Sequence, residues 1–272
     1  MMIWRSSFRL FAVIGVAALA ACAQPKDVYV ERPVETLYNQ AMDQLLAGDY
    51  KNGATSFDAV DQQHPYSVWA TKAQLMNAYT LYEDKRYDES IVAAERFIQL
   101  HPGHRDVAYA YYLKALDYYI QITDVERDQR VTQQALDALS EVQRRFPDTN
   151  YARDAKLKMD LARDHLAGKE MEIGRFYQKQ QEYLAAINRF QEVVNRYQTT
   201  THVPEALTRL VECYYALGLS DEAKRTAAVL GYNYPATDWY KATYSLMTAG
   251  TETPKDKNRG WIARVVDPFG FF

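Results

Sequence analysis

The stretch GRFYQKQQEYLAAINRFQEVVNRYQ, residues 174–198, decides how the chain is read. Gly174, Tyr177, Tyr183, Ala186 and Phe190 put small and aromatic residues at helical spacing ahead of a stop at Gln198. The same order recurs elsewhere. Leu37, Ala41, Tyr50 and Phe57 precede Pro65. Ala78, Tyr87 and Ser90 precede Pro102. Leu210, Tyr214, Gly218 and Ala223 precede Pro235. The endings are alike too: DQQHP at Pro65, IQLHP at Pro102, RRFP at Pro147 and GYNYP at Pro235. Successive intervals are 37, 45 and 88 residues, and VVNRYQ, ending at Gln198 with the proline lost, splits the last into two. Five units therefore close near 65, 102, 147, 198 and 235. Periods of this size indicate a solenoid of helix pairs, with small residues where two helices touch and aromatics filling the wedge between pairs.

The punctuation has a mechanism. Proline cannot continue a helix, so each closing proline enforces a stop. Ser67, Asp106, Asp148 or Thr149, and Thr237 then stand where they can cap the next helix. Pro204 and Glu205 suit the first turn of another. Gly48-Asp49 and Gly218-Leu219 read as tight turns inside units. No alternating strand pattern runs for a useful length. The pattern resembles the tetratricopeptide (TPR) repeat, and the fold predicted is an all-α, TPR-like superhelix of five repeats over residues 34–249. Two irregularities stand out. The third unit is long, and its charged excess, ITDVERDQRVTQQ (122–134), reads as an exposed loop between its two helices. The fourth opens with a long helical run, YARDAKLKMDLARDHLAGKEMEIGRFYQ, that continues across the junction with the third.

The ends are of different character. Arg5 and Arg9 precede an apolar run, LFAVIGVAALAA (10–21), and no acidic residue occurs before Asp27. That run has the length of a secretory h-region and is short for a bilayer span; a retained membrane anchor is the alternative reading. Leu19-Ala20-Ala21-Cys22 resembles a bacterial lipobox, in which the cysteine is lipidated and becomes residue one. Residues 1–21 are thus expected to be a cleaved signal peptide. Cys22 is expected to carry the lipid and residues 22–33 to form the tether, since more than one acyl chain gives stable anchoring. Ala23 in place of the retention-type Asp points to the outer membrane. Residues 250–272 read as a polar linker with a short apolar end, expected to be a flexible tail.

Composition excludes several functions. Without Arg5 and Arg9 the chain carries 30 basic against 35 acidic side chains, a net charge of −5, which argues against nucleic-acid binding. Cys213, in LVECYYALG, falls at a helical, largely apolar position and reads as a small hydrophobe, leaving no disulfide. The histidines are His64, His101, His104, His165 and His202. His101 and His104 are separated by Pro102-Gly103 and do not make a helical metal pair, so no metal is expected. No nucleophile elbow, phosphate loop or dinucleotide fingerprint occurs. No catalytic residues are assigned, and no cofactor is expected beyond the lipid on Cys22. Tyrosine is the unusual residue, with 22 copies. In YAYYLKALDYY, Tyr109, Tyr111, Tyr112, Tyr118 and Tyr119 occupy more than one helix face. Not every such face can be buried in a two-layer array, so an aromatic, hydroxyl-rich concave surface for an extended peptide is expected. Tyr66, Trp69, Tyr79 and Tyr82 are its candidates.

Together the lipobox, the five units, the charged insert and the long helix resemble the BamD family of outer-membrane lipoproteins, over roughly residues 34–235. LYNQAMDQLLAGDY, AERFIQLHPGH and EYLAAINRFQEVVNRY carry the resemblance. It implies a non-enzymatic scaffold, lipid-anchored to the outer membrane and facing the periplasm. Its C-terminal repeats would bind the POTRA domains of the barrel subunit BamA. Its N-terminal repeats would receive the C-terminal segments of unfolded outer-membrane proteins. The family's asparagine-arginine pair in the second helix of the fourth repeat matches Asn188 and Arg189. Its Arg-Tyr-Pro-Phe at the end of the first repeat is here Gln63-His64-Pro65-Tyr66, which keeps the aromatic at Tyr66 and replaces the tyrosine by His64. The competing class is another TPR lipoprotein, such as a secretin pilotin or an adaptor for cell-wall enzymes, without the insert or the Asn188-Arg189 helix.

Overall fold

The computed structural model describes residues 32–122 and 129–248; Cys22, the signal segment, most of the tether and the tail from 249 onward lie outside them. Among the described residues there are eleven α-helices and no strand. Unit one is α1 (Val34–Leu46) and α2 (Tyr50–Gln63); unit two is α3 (Val68–Glu83) and α4 (Tyr87–Leu100). Unit three is α5 (Val107–Ile120) and α6 (Arg130–Arg145); unit four is α7 (Asn150–Lys179) and α8 (Tyr183–Arg196). Unit five is α9 (Val203–Ala216) and α10 (Ser220–Asn233), and α11 (Asp238–Thr248) closes the array. The fold is a TPR-like superhelix.

Two connector geometries repeat along the chain. After each second helix, His64, His101, Phe146, Tyr197 and Tyr234 take nearly the same backbone angles, with φ of −136, −130, −131, −121 and −133°. Each donates its N–H to the carbonyl four residues back, on buried Val60, Phe97, Val142, Val193 and Leu230. Gln198 follows the same geometry as the four prolines, so proline reinforces this stop without being required for it. Ser67, Thr149 and Thr237 then cap the next helix by accepting the N–H of Ala70, Ala152 and Tyr240 at 3.0, 3.2 and 3.2 Å. Asp106 departs from expectation: its ψ of 10° leaves the extended region, and its carboxylate makes no cap. Thr149, and not Asp148, caps α7.

The second geometry joins the two helices of a unit. Gly48, Lys85, Gln181 and Gly218 all sit at positive φ, 78, 61, 64 and 76°. Asp49, Arg86, Glu182 and Leu219 each reach back five residues to a helix carbonyl, closing a Schellman turn. The two glycines were legible as turns; Lys85 and Gln181 adopt the same strained conformation with a side chain attached. In unit three the charged insert stands between the two helices in the sequence. It is shorter than expected, because Arg130 to Gln134 already belong to α6; residues 123–128 lie outside the described set.

Packing follows the repeat. Ala41 lies with Phe57, and Gly174 lies against Phe190, all buried. At Gly174 a β-carbon would stand 2.5 Å from the Phe190 ring, so only glycine admits that ring. The core is a row of clusters. The 30 residues of α7 run about 45 Å. Ala155 and Met159 on its first half join the cluster of Leu139 and Val142; Leu166, Ala167 and Met171 on its second join that of Phe190 and Leu210. One rod thus belongs to two units. First helices touch first helices, α1 on α3, α3 on α5, α5 on α7 and α9 on α11, while the second helices make no comparable contact with one another. The array therefore curves with its first helices inside.

Candidate functional site

The inner face of the first units is aromatic. Tyr38 on α1 lies 4.9 Å from Trp69 on α3 between ring centroids, and the Lys72 ammonium sits 4.8 Å from the Trp69 ring. Further along α3 come half-buried Tyr79 and Tyr82, the latter 5.9 Å from Tyr87. Tyr109 and Tyr112 on α5 meet Tyr151 on α7 at 5.7 and 5.2 Å. Burial pushes the hydroxyls of Tyr38, Tyr79, Tyr82, Tyr109 and Tyr112 up, so they stay neutral and able to donate. At the far end the Tyr112 hydroxyl donates to Asp154, which also takes the Lys158 ammonium at 2.6 Å. Burial opposes the Asp154 charge, but these two donors hold its carboxyl below the usual range.

The expected groove residues divide within this geometry. Trp69 and Tyr79 pack on the cluster of Leu37, Ala41 and Phe57, and Tyr82 continues the line. Tyr66 stands apart, fully exposed on the connector between α2 and α3. His64 is part-buried, and its Nε2 lies 2.8 Å from the Arg32 carbonyl, which makes that nitrogen the donor. Tyr38 and Tyr151 also belong to the band, and neither is legible in the sequence: Tyr38 is the one aromatic of α1 and Tyr151 stands far from Phe176 and Tyr177 on α7, so neither carries a signal until the helices are set side by side. Tyr109 and Tyr112 lay in the tyrosine-rich α5 segment, where helical spacing alone does not say which face turns inward.

The inner face of the last units is charged. Arg175 on α7 bonds Glu205 on α9 at 3.2 Å. Arg209 reaches Glu205 at 3.4 Å and Glu212 at 3.0 Å, and lies 5.6 Å from the Trp239 ring on α11. Gln178 donates to Glu212 at 2.7 Å. Glu212 is nearly buried, and burial raises its carboxyl despite the Arg209 partner. This network ties α7, α9 and α11 together, so one superhelix presents an aromatic half and an ionic half.

Asn188 and Arg189 lie together in the middle of α8. They line a cavity of about 240 Å³ with Glu170, Tyr177, Ala185 and Glu192. The Arg189 guanidinium spends one nitrogen on Glu170, at 3.2 Å, and its side chain remains 44% exposed. It is therefore pre-oriented and still free to fork onto an external carboxylate. Among the described residues no group of three or more histidine, cysteine or acidic side chains could hold a metal ion. Cys213 is buried and its thiol is pushed up to about 12, as its apolar position implied.

Comparison with known proteins agrees with this architecture. A family model described as YfiO, outer membrane lipoprotein, matches residues 30–230. The outer membrane protein assembly factor BamD of Caulobacter vibrioides is 50% identical over 247 residues, covering 89% of this chain and 81% of the relative. The BamD of Rickettsia prowazekii is 49% identical over 236 residues, covering 86% and 94%. The BamD of a Neisseria meningitidis serogroup A strain is 35% identical over 234 residues, covering 80% and 88%. With its TPR superhelix and its match along most of the described length, the chain belongs to the BamD family of outer membrane protein assembly factors.

Proposed function

We propose that this protein is a non-enzymatic scaffold of the β-barrel assembly machinery, held to the outer membrane by lipid on Cys22 and facing the periplasm. Its aromatic half receives the C-terminal segments of unfolded outer-membrane proteins. Its Asn188–Arg189 cavity engages the POTRA region of BamA. The observation that carries this reading is the tyrosine and tryptophan band on the inner face of α1, α3, α5 and α7. An extended segment laid along it finds ring surface and neutral hydroxyls together, a combination suited to alternating apolar side chains and a polar backbone. Arg189 supports the second contact, because it is partly ordered by Glu170 and keeps donors for a partner carboxylate. No nucleic acid, metal or cofactor has a part in this function.

The test is recovery of partners from detergent-solubilised membranes. Wild-type protein should bring down the BamA barrel subunit, and Arg189→Glu should reduce that recovery while the melting curve is kept. A peptide matching a barrel C-terminus should crosslink through Tyr79 or Tyr112 positions. Cys22→Ala should release the chain from the membrane fraction. Unchanged BamA recovery with Arg189→Glu, or crosslinks confined to other faces, would refute the respective contact.

A further inference from the structure

The second helices of units one and two, α2 and α4, leave a groove between them. It encloses about 470 Å³ and is floored by α3. Gln74, Asn77 and Leu81 supply the floor, on the opposite side of α3 from Tyr79, so the groove opens away from the aromatic band. Leu81 and the exposed Val92 give it apolar surface.

Its polar groups do not balance. Two arginines and four carboxylates line it. Arg96 spends one nitrogen on Asp61 at 2.9 Å, and Asp61 also accepts from Gln74 at 2.6 Å. Arg86 is committed to Glu89, with Nε at 2.7 Å from a carboxylate oxygen. That leaves two acids. Asp88 has no ion-pair partner among the described residues, and Asp58 receives only the Asn77 amide at 2.6 Å. Burial raises the Asp58 carboxyl, the Arg96 charge notwithstanding. Asn77 is 7% exposed; its nitrogen is spent on Asp58 and its Oδ1 has no donor. Buried acceptors without donors are uncommon in folded proteins. The lining carries two more carboxylates than guanidinium groups, and the Asn77 oxygen is a further unmet acceptor.

A cation with several N–H donors on an aliphatic stem answers both the charge and the unmet acceptors. We propose that this groove binds an arginine or lysine side chain of a partner polypeptide, with its stem on Leu81 and Val92 and its head toward Asp58, Asn77 and Asp88. The site is separate from the inner face, so it allows a second polypeptide to be held on the outside of the first two units while the aromatic band is occupied.

The full-length lipoprotein in detergent is titrated with acetyl-Leu-Arg-Leu-amide, and amide resonances are followed by NMR. Saturable shifts at residues 54–61, 74–81 and 86–96 are expected, with affinity falling as salt rises. Asp58→Asn and Asp88→Asn should each weaken binding about tenfold, the scale of one charge-assisted hydrogen bond. Asp58 and Asp88 are both exposed, so each variant tests the charge without opening the core. The twin peptide with norleucine should not saturate. Equal binding of that twin, shifts mapping to the inner face, absence of saturation, or indifference to both substitutions would each overturn the proposal.

Discussion

Asp117 allows a quantitative test of how units two and three are joined. Its side chain is completely buried on α5. The Ser90 hydroxyl on α4 lies 2.7 Å from Asp117 Oδ2 and 2.9 Å from the Ala78 carbonyl on α3. One hydroxyl proton cannot serve both oxygens. The arrangement is complete when Asp117 is a neutral acid that donates to Ser90, which donates to Ala78. Burial pushes the Asp117 carboxyl up to about 7, opposed by Ser90 and reinforced by Asp88. The sign follows from linkage. The folded value lies above the unfolded one of 3.8, so this site's contribution is fully favourable below about pH 4 and declines until pH passes about 7. The gap corresponds to at most about 4 kcal/mol. Halving it for local relaxation, and for the unpaired Oδ1, leaves about 2 kcal/mol. Asp117→Asn keeps a donor for Ser90 and removes the charge. Its stability relative to wild type should rise by about 2 kcal/mol between pH 4 and pH 8, or several degrees in Tm for a chain of this size. Paired urea melts at both pH values measure this, and titrations common to both proteins cancel in the difference. Hydrogen exchange over residues 87–120 localises it, since repeat arrays open by neighbours. A stability difference that does not change with pH, or a variant that loses ground at pH 8, would refute the neutral-acid bridge.

Three further outcomes are expected. Gly174→Ala should cost about 1–3 kcal/mol in a thermal melt, because the added carbon meets the buried Phe190 ring. Lys85→Gly and Gln181→Gly should each stabilise by about 0.5–1 kcal/mol, since the left-handed conformation they relieve costs more than the entropy glycine adds to the unfolded chain. Cys213 should resist maleimide in the native protein and react on urea unfolding, because it is buried and its thiolate is scarce at neutral pH.

Much of the fold could be read in one dimension. The closing motifs at Pro65, Pro102, Pro147 and Pro235 mark where a helix must stop, and stopping is a local property of backbone sterics and hydrogen bonding. The small and aromatic positions mark where two helices approach, and that too repeats in register. The run from Tyr151 onward read as one long helix for the same reason: nothing in it breaks the ladder. Local chemistry was harder to weigh when two residues competed. Asp106 looked as able to cap as Ser67, but the backbone after Gly103 does not present it.

The binding surfaces needed the tertiary structure. Trp69, Tyr79 and Tyr82 share a helix, yet their line continues through Tyr109, Tyr112 and Tyr151 only because α3, α5 and α7 lie side by side. Tyr66, one connector away, is not part of it. The groove over Asn77 is likewise invisible along the chain, since Asp58, Asn77 and Asp88 come from three helices. Sequence alone determined the repeats, because helix starts, stops and contacts are set by residues within a turn or two. Only the curvature of the stacked pairs decided which faces turn inward and which charges remain unpaired, because those depend on distances between residues far apart in the chain.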